Sequence, residues 1–527
     1  MELIRERIVL SKFIGKETTQ VLLEGDIIVP DIKPDIASIL KTEAEIVIPK
    51  VNPLAGRISY SGKLVIKILY MAKNAENSEN SVHNISTFAP VDDFLNMEGV
   101  GVNTLINFSA QIAHMDYRIV NDRKLNYRAV VDITVNVSEN ASVDMVKGIG
   151  GPADVQQKTA SFSLCALVEK KFDEFTIKDE IVLPKNRPSV REMLSVGMSI
   201  ADKEIRTFGG RVDISGELVV KLLYKGAEEG SIIEFSEFEL PFQGSVDVAA
   251  AGEGNFADVI LNVIENTANV HPDEDGEDRV LALEAVIGAD IRVSDNQELV
   301  ILEDAYSIEQ NLDIKKAPLD YQYLVCRNKN QFNVKEIVSL EDAPEILQIL
   351  SVDGTAHLED KKVIDDKVVV EGIVAANILY VANSDTSPIY SHQAVLPIRQ
   401  VIETKGARLG MDADVSQSID HISFNMLSGH EAELRFVLNI DALVQENIRA
   451  EYISDIEFSP LDSEEMNLMP SMVVLCVQKG DSLWSIAKKY NASLEELAAI
   501  NDLDAGAELR AGQKLLVVKK VGRDDGA

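Results

Sequence analysis

Apolar and polar residues alternate through three stretches of the chain, residues 57–70, 211–224 and 367–380. In the second, Val212, Ile214, Leu218, Val220, Leu222 and Tyr224 share one face, and Asp213, Ser215, Glu217 and Lys221 lie on the other. A period of two over this length predicts a half-buried strand. Extended throughout, it would run about 43 Å at roughly 3.3 Å per residue. A glycine stands mid-strand in each stretch and predicts a bulge or a sharp bend there.

These strands recur in register. Gly62, Gly216 and Gly372 are separated by 154 and 156 residues, as are Tyr70, Tyr224 and Tyr380, and Pro34, Pro188 and Pro344. Three markers in one register predict one unit of about 155 residues copied three times. Each copy is large enough to bury its own core, so the expectation is three beads on a string. Beyond each proline, apolar residues fall at offsets of two, five and six: Ile36, Ile39 and Leu40, then Val190, Met193 and Leu194, then Ile346, Ile349 and Leu350. That i, i+3, i+4 spacing predicts a short helix, with proline in its first turn, packed on the sheet of its own repeat.

Further strands are predicted at 232–235, 259–263 and 280–287 in the second copy, and at 125–137 and 434–444 in the others. An acidic turn is predicted at 272–278. The expected fold is mainly β: three antiparallel repeats, each a sandwich or a partly open barrel with a short helix, plus a small βααβ domain. The expected boundaries are 1–158, 159–315 and 316–458 for the repeats, 459–472 for a polar, acidic linker, and 473–520 for the last domain.

The last domain has its own pattern. Residues 473–477 read as a strand, and Gly480, Asp481 and Ser482 as a turn and helix cap. Leu483, Ile486, Ala487 and Tyr490 form one helical face. Ser493 and Glu496 predict a capping box for a second helix, with Leu494, Leu497 and Ala498 on its buried side. Leu509, Gly512 and Gln513 precede a closing strand at 514–518.

Composition narrows the function. Hydrophobic residues make up 46% of the chain, which excludes a disordered protein. A formal net charge of −35 disfavours nucleic acid and anionic membrane as partners. The three cysteines, Cys165, Cys326 and Cys476, are far apart and odd in number, which suits a reducing compartment. Charges at Arg5, Glu6 and Arg7 interrupt any secretory signal, and no apolar run approaches a membrane span, so a cytoplasmic protein is expected. The seven histidines keep no common register and form no metal-ligand pair. No phosphate-binding loop occurs either: residues 99–101 lack the spacing of a dinucleotide motif. The expectation is no catalytic residue, no metal and no cofactor.

The run Gly480-Asp481-Ser482-Leu483-Trp484-Ser485-Ile486-Ala487-Lys488-Lys489-Tyr490, with Leu497, Ile500-Asn501, Leu509 and Gly512-Gln513-Lys514-Leu515, resembles a LysM module. Ala511 stands where that family usually has proline. The run from Val21 through Gly25, Pro30 and Pro34 to Ile36, with the strand end Ile68-Leu69-Tyr70, resembles the SPOCS domain of spore-forming bacteria. Ala343-Pro344-Glu345-Ile346-Leu347 and Asn377-Ile378-Leu379-Tyr380 carry the likeness in the third copy. Three such units and one LysM resemble the SipL-like family of spore coat morphogenetic proteins.

The resemblance implies a non-enzymatic scaffold in the mother-cell cytoplasm, at the forespore surface, that docks a coat-morphogenetic ATPase through its LysM module. The alternative it implies is a protein of the cortex or wall that binds peptidoglycan, as LysM modules hold N-acetylglucosamine polymers. The residues it points to are Gly480, Asp481, Ser482, Leu483, Trp484, Ile486, Leu509, Gly512 and Gln513. Trp484, the single tryptophan, sits one position off the apolar helical face. It reads equally as a ring flanking the small core and as an aromatic anchor for a partner.

Overall fold

The computed structural model describes residues 2–73, 82–151, 154–228, 233–252, 255–384, 388–460 and 472–518. The first repeat runs β1 (Glu2–Ile28), β2 (Ile36–Leu54), β3 (Arg57–Ala72), β4 (Val82–Asn96), β5 (Leu105–Asn121) and β6 (Lys124–Gly150). The second runs β7 (Val155–Val182), β8 (Val190–Phe208), β9 (Arg211–Gly226), β10 (Glu234–Asp247), β11 (Phe256–Pro272) and β12 (Asp278–Ser307). The third follows as β13 (Gln310–Ser339), β14 (Ile346–Ile364), β15 (Lys367–Ala382), β16 (Ile389–Glu403), β17 (Asp412–Ser428) and β18 (Glu431–Pro460). In each, the first, sixth and fifth strands make one antiparallel sheet and the second, third and fourth another. The two sheets pack face to face, with Ile58, Leu64 and Ile66 of β3 against Leu125, Ala129 and Val131 of β6. The mainly β expectation holds, as a sandwich with no closed barrel. The strand opening the second repeat begins at Val155 and that of the third at Gln310, slightly ahead of the expected boundaries.

The predicted short helices do not form. Residues 36–40, 190–194 and 346–350 begin strands β2, β8 and β14. The start of each strand carries two bulges, between Ile36 and Ser38 and between Ile39 and Lys41 in β2, and at the matching places in β8 and β14. A bulge adds one residue and so shifts the alternation from two to three. Ile36 and Ile39 therefore both face the core of their own repeat, while Leu40 faces the opposite way. A doubly bulged strand with two buried faces thus imitates helical spacing.

The mid-strand glycines are corrected in the same way. The irregularity lies in the neighbouring strand, between Val47 and Lys50, Ala201 and Glu204, and Leu358 and Asp360. A Cβ on Gly62 would lie 2.0 Å from the Val47 carbonyl oxygen, and one on Gly372 would lie 2.1 Å from that of His357. Close approach by a bulged partner requires the glycine. The third marker is explained too: Tyr70, Tyr224 and Tyr380 are fully buried and donate to the carbonyls of Pro34, Pro188 and Pro344 at 2.9, 3.1 and 2.9 Å.

Beads on a string is also corrected. Leu40, Leu69 and Met71 meet Leu194, Leu223, Leu350 and Leu379 in one cluster shared by all three repeats. The first and last strands of each repeat are 27 to 30 residues long, about 90–100 Å if straight. Their far halves form two-stranded ribbons. The three ribbons bundle around Ile8, Leu10, Met145, Leu164, Leu299 and Leu319, and again around Val146, Leu302 and Ile453. Each junction also carries a basic side chain. Lys170 donates to the Ile106 carbonyl at 2.6 Å, Arg327 pairs with Asp258 at 2.7 Å, and Lys16 pairs with Asp414 at 2.5 Å. Apolar residues on both faces of a strand end, as in Ile68-Leu69-Tyr70-Met71, are what make this packing favourable.

The last domain is a two-stranded sheet, β19 (Met472–Cys476) and β20 (Lys514–Val518), with α1 (Leu483–Lys489) and α2 (Leu494–Ile500) between. Of the expected linker, residues 461–471 lie outside the described residues, and Ser459 and Pro460 end β18.

Candidate functional site

The two loops singled out in the sequence are neighbours in space. Val477 donates to the Gln513 carbonyl and Gly512 donates to the Val477 carbonyl, both at 2.8 Å, which ties residues 477–483 to 508–513. Gly480 and Gly512 have φ of +99° and +89°, backbone that favours glycine. Asp481 turns its carboxylate inward to accept from Gln478 N at 2.8 Å. Gln513 accepts from Arg510 N through its side chain at 3.2 Å. Ser482 caps α1 in a reciprocal box with Ser485, and Ser493 caps α2. Asn501 bonds the carbonyls of Leu497 and Leu516 and the Leu516 amide, which locks α2 to β20.

The nine candidate residues divide by this geometry. Leu483 and Ile486 are buried in the small core with Ala487, Leu497, Leu515 and Val517, and Leu509 packs against it. Gly480, Ser482 and Gly512 are exposed, and Asp481 and Gln513 are half-buried between the loops.

Trp484 faces elsewhere. Its indole N–H donates to Asp304 Oδ2 at 2.8 Å, and Lys488, one turn on, pairs with Asp304 Oδ1 at 2.5 Å. Its ring meets that of Tyr306 edge-on at 5.0 Å. Tyr306 itself belongs to the small domain's core cluster and donates its hydroxyl to the Ala492 carbonyl at 2.8 Å. Asn491 adds a bond to the Ser307 carbonyl. Burial works to raise the Asp304 carboxyl, but the Lys488 and Trp484 bonds outweigh it and hold that carboxyl below its ordinary range. Both sequence readings of Trp484 meet here: the ring flanks the core, and it anchors an interface within its own chain.

The seat is specific to the second repeat. Tyr306 lies three residues beyond the bulged Glu303, and the matching positions of the other ribbons hold Gly150 and Glu457. Sequence reasoning missed Asp304 and Tyr306 because they stand about 180 residues from Trp484. The one local signal was a tyrosine that breaks the threefold repetition.

A second constellation lies between the second and third repeats. His421 Nε2 is 3.1 Å from Asp202 and its Nδ1 is 3.4 Å from Glu239. Asp202, Glu217 and His421 can bring ligand atoms within 4.8 Å of one another. The sequence search for metal-ligand spacing did not see this group, because its members come from two repeats.

Residues 35–120, 189–271 and 345–427 match the family model described as SipL, SPOCS domain, and residues 477–518 match the LysM domain. This is a SipL-like protein, with three SPOCS domains and one LysM domain. Each SPOCS match spans the inner strands, β2 to β5 and their counterparts, and leaves the ribbon strands outside. No curated protein and no solved structure matches the chain. Both domain types are non-catalytic families, and together they are those of a sporulation, coat-related protein carrying a peptidoglycan-binding module. Among the described residues no helix is long and apolar enough to cross a membrane.

Proposed function

We propose that the chain is a non-enzymatic adaptor of spore coat assembly, working in the mother-cell cytoplasm at the forespore surface. The packed SPOCS repeats serve as its body and the LysM loops as its docking face. The observation that carries this reading is the seat on the second repeat. Asp304 and Tyr306 engage the Trp484 side of the module, so the exposed loop residues Gly480, Ser482 and Gly512 are presented in a set orientation. The proposed partner of these loops is a coat-morphogenetic ATPase, as the family resemblance implies. A second reading, a glycan of N-acetylglucosamine, is favoured by the LysM match itself.

The test is binding of the purified full chain to the ATPase, beside a titration with chitin oligomers. It is repeated with Gly512→Asn, which adds a side chain where space is open and which tolerates positive φ. ATPase retention that falls in the variant, with an unchanged melting temperature, supports the first reading. Oligomer binding without ATPase retention selects the second. Binding of neither removes the loops as a docking face.

A further inference from the structure

Three positions at which the second repeat departs from its copies converge on one histidine of the third. Asp202 stands where the first and third copies have Ile48 and Leu358, and Glu217 where they have Lys63 and Ile373. Glu239 lies opposite Val219, and the matching places opposite Val65 and Ala375 hold Phe88 and Val395. The second copy alone carries a carboxylate at all three. Bulges in two strands bring these groups to His421. Asp202 lies in the irregularity between Ala201 and Glu204 of β8, and His421 closes the one that follows Ile419 in β17. Asp202 has φ of +47°, a left-handed conformation that aspartate adopts more readily than most residues.

The geometry suits a metal ion. His421 Nε2 faces Asp202 Oδ2 at 3.1 Å, and ligand atoms of Asp202, Glu217 and His421 all lie within 4.8 Å of one another. Donors around a tetrahedral Zn2+ stand about 3.3 Å apart, given bonds of roughly 2.0–2.2 Å. The Asp202–His421 pair already has that spacing. Glu217 makes no hydrogen bond or ion pair among the described residues, so its side chain can close the rest. A ligating histidine ordinarily donates its other ring N–H to a carboxylate, and Glu239 stands 3.4 Å from Nδ1 for that purpose. No lysine or arginine pairs with these three carboxylates among the described residues. Lys203, the neighbour of Asp202, feels the charges of Asp258, Asp441, Lys329 and Arg327 instead. Asp420 is engaged by Asn439, by Ser418 and by the Asp202 amide. One imidazole among three carboxylates leaves negative charge that a divalent cation neutralises. The ring nitrogen favours a transition ion over Mg2+ or Ca2+, which prefer oxygen throughout.

We propose that Asp202, Glu217 and His421 bind one divalent transition ion of the Zn2+ class, which cross-links the second and third repeats, with Glu239 orienting the imidazole. The site is separate from the LysM domain, which contains no histidine. The experiment is a calorimetric titration of the full chain, stripped of metal and kept reduced, with Zn2+ in excess Mg2+. One site should appear, and Zn2+ should raise the melting temperature. Glu217→Gln breaks no bond, so in chelator it should melt with the parent. It should weaken Zn2+ about tenfold or more, as should His421→Gln, and Glu239→Gln should cost about tenfold. His114 occupies the matching bulge of the first repeat and pairs with Asp116, so His114→Gln should leave the affinity unchanged. Co2+ in place of Zn2+ should give ligand-field absorption without a thiolate charge-transfer band, which separates this site from the cysteines. Three results would overturn the proposal: no Zn2+ binding in excess Mg2+, unchanged affinity in either Glu217→Gln or His421→Gln, or a thiolate band with Co2+.

Discussion

Replacing Tyr306 by glycine should release the LysM domain from the second repeat without unfolding either. The side chain is only 5% exposed, and deleting a buried aromatic ring costs about 3–5 kcal/mol. That cost includes the hydroxyl bond to Ala492 and the edge contact with Trp484. At 1.4 kcal/mol per factor of ten, docking should weaken by roughly two to three and a half orders of magnitude. The ribbon itself should tolerate the change, because Gly150 occupies the matching position in the first repeat. Asp304→Ala should act in the same direction but less, by about 1–3 kcal/mol, since that carboxylate is 26% exposed. The assay is direct: Trp484 is the single tryptophan, so its emission reports docking alone. Undocking should shift the emission to the red and raise its quenching by iodide, while helical circular dichroism from α1 and α2 stays. If Tyr306→Gly combined with Asp304→Ala leaves emission and quenching unaltered, the contact with the second repeat does not hold the domain.

The glycine markers should differ in severity. Gly62→Ala and Gly372→Ala meet carbonyl oxygens at 2.0 and 2.1 Å, whereas Gly216→Ala meets one at 3.0 Å. The first two should cost about 3 kcal/mol or more and the last clearly less, read from urea midpoints; equal losses would discount the carbonyl contact. Burial, ahead of any charge, pushes the Tyr70 and Tyr380 phenols up to about 12. The folded state therefore favours the neutral phenol, and this stability is complete below about pH 10 and lost as pH rises toward 12. Tyr70→Phe with Tyr380→Phe should flatten that alkaline loss, and an unchanged profile would refute it. Burial lowers His421, but its bond to Asp202 and the charges of Asp202, Glu239 and Asp420 outweigh burial and raise it; Glu217 also lies within reach. Its contribution is present below about pH 6.5 and lost as pH rises through the raised value. His421→Gln should remove that part of the melting-temperature profile between pH 5.5 and 8.5.

Much of the architecture was legible along the chain. The alternation in residues 57–70, 211–224 and 367–380 marked the central strands, and Pro34, Gly62 and Tyr70 with their counterparts marked the copies. The LysM caps at Ser482 and Ser493 were readable because capping is local, set by residues three apart. Face assignments were less secure. Ile36, Ile39 and Leu40 read as a helix because two bulges reset the parity of a strand, and bulges leave no signature in spacing alone. Trp484 read equally as a core-flanking ring and as an anchor, and its partners, Asp304 and Tyr306, were not legible because they stand on another repeat.

By itself the sequence determined a triplicated β unit with a separate βααβ domain, because strand periodicity, turn glycines and helix caps are written over a few neighbouring residues. Only the tertiary structure decided that Leu40, Leu194 and Leu350 converge in a shared core, that the ribbons bundle, and that the LysM domain sits on one ribbon alone. Those outcomes depend on side chains brought together from more than a hundred residues apart. Which outward faces meet is set by the shape and burial of whole sheets, and no local period records it.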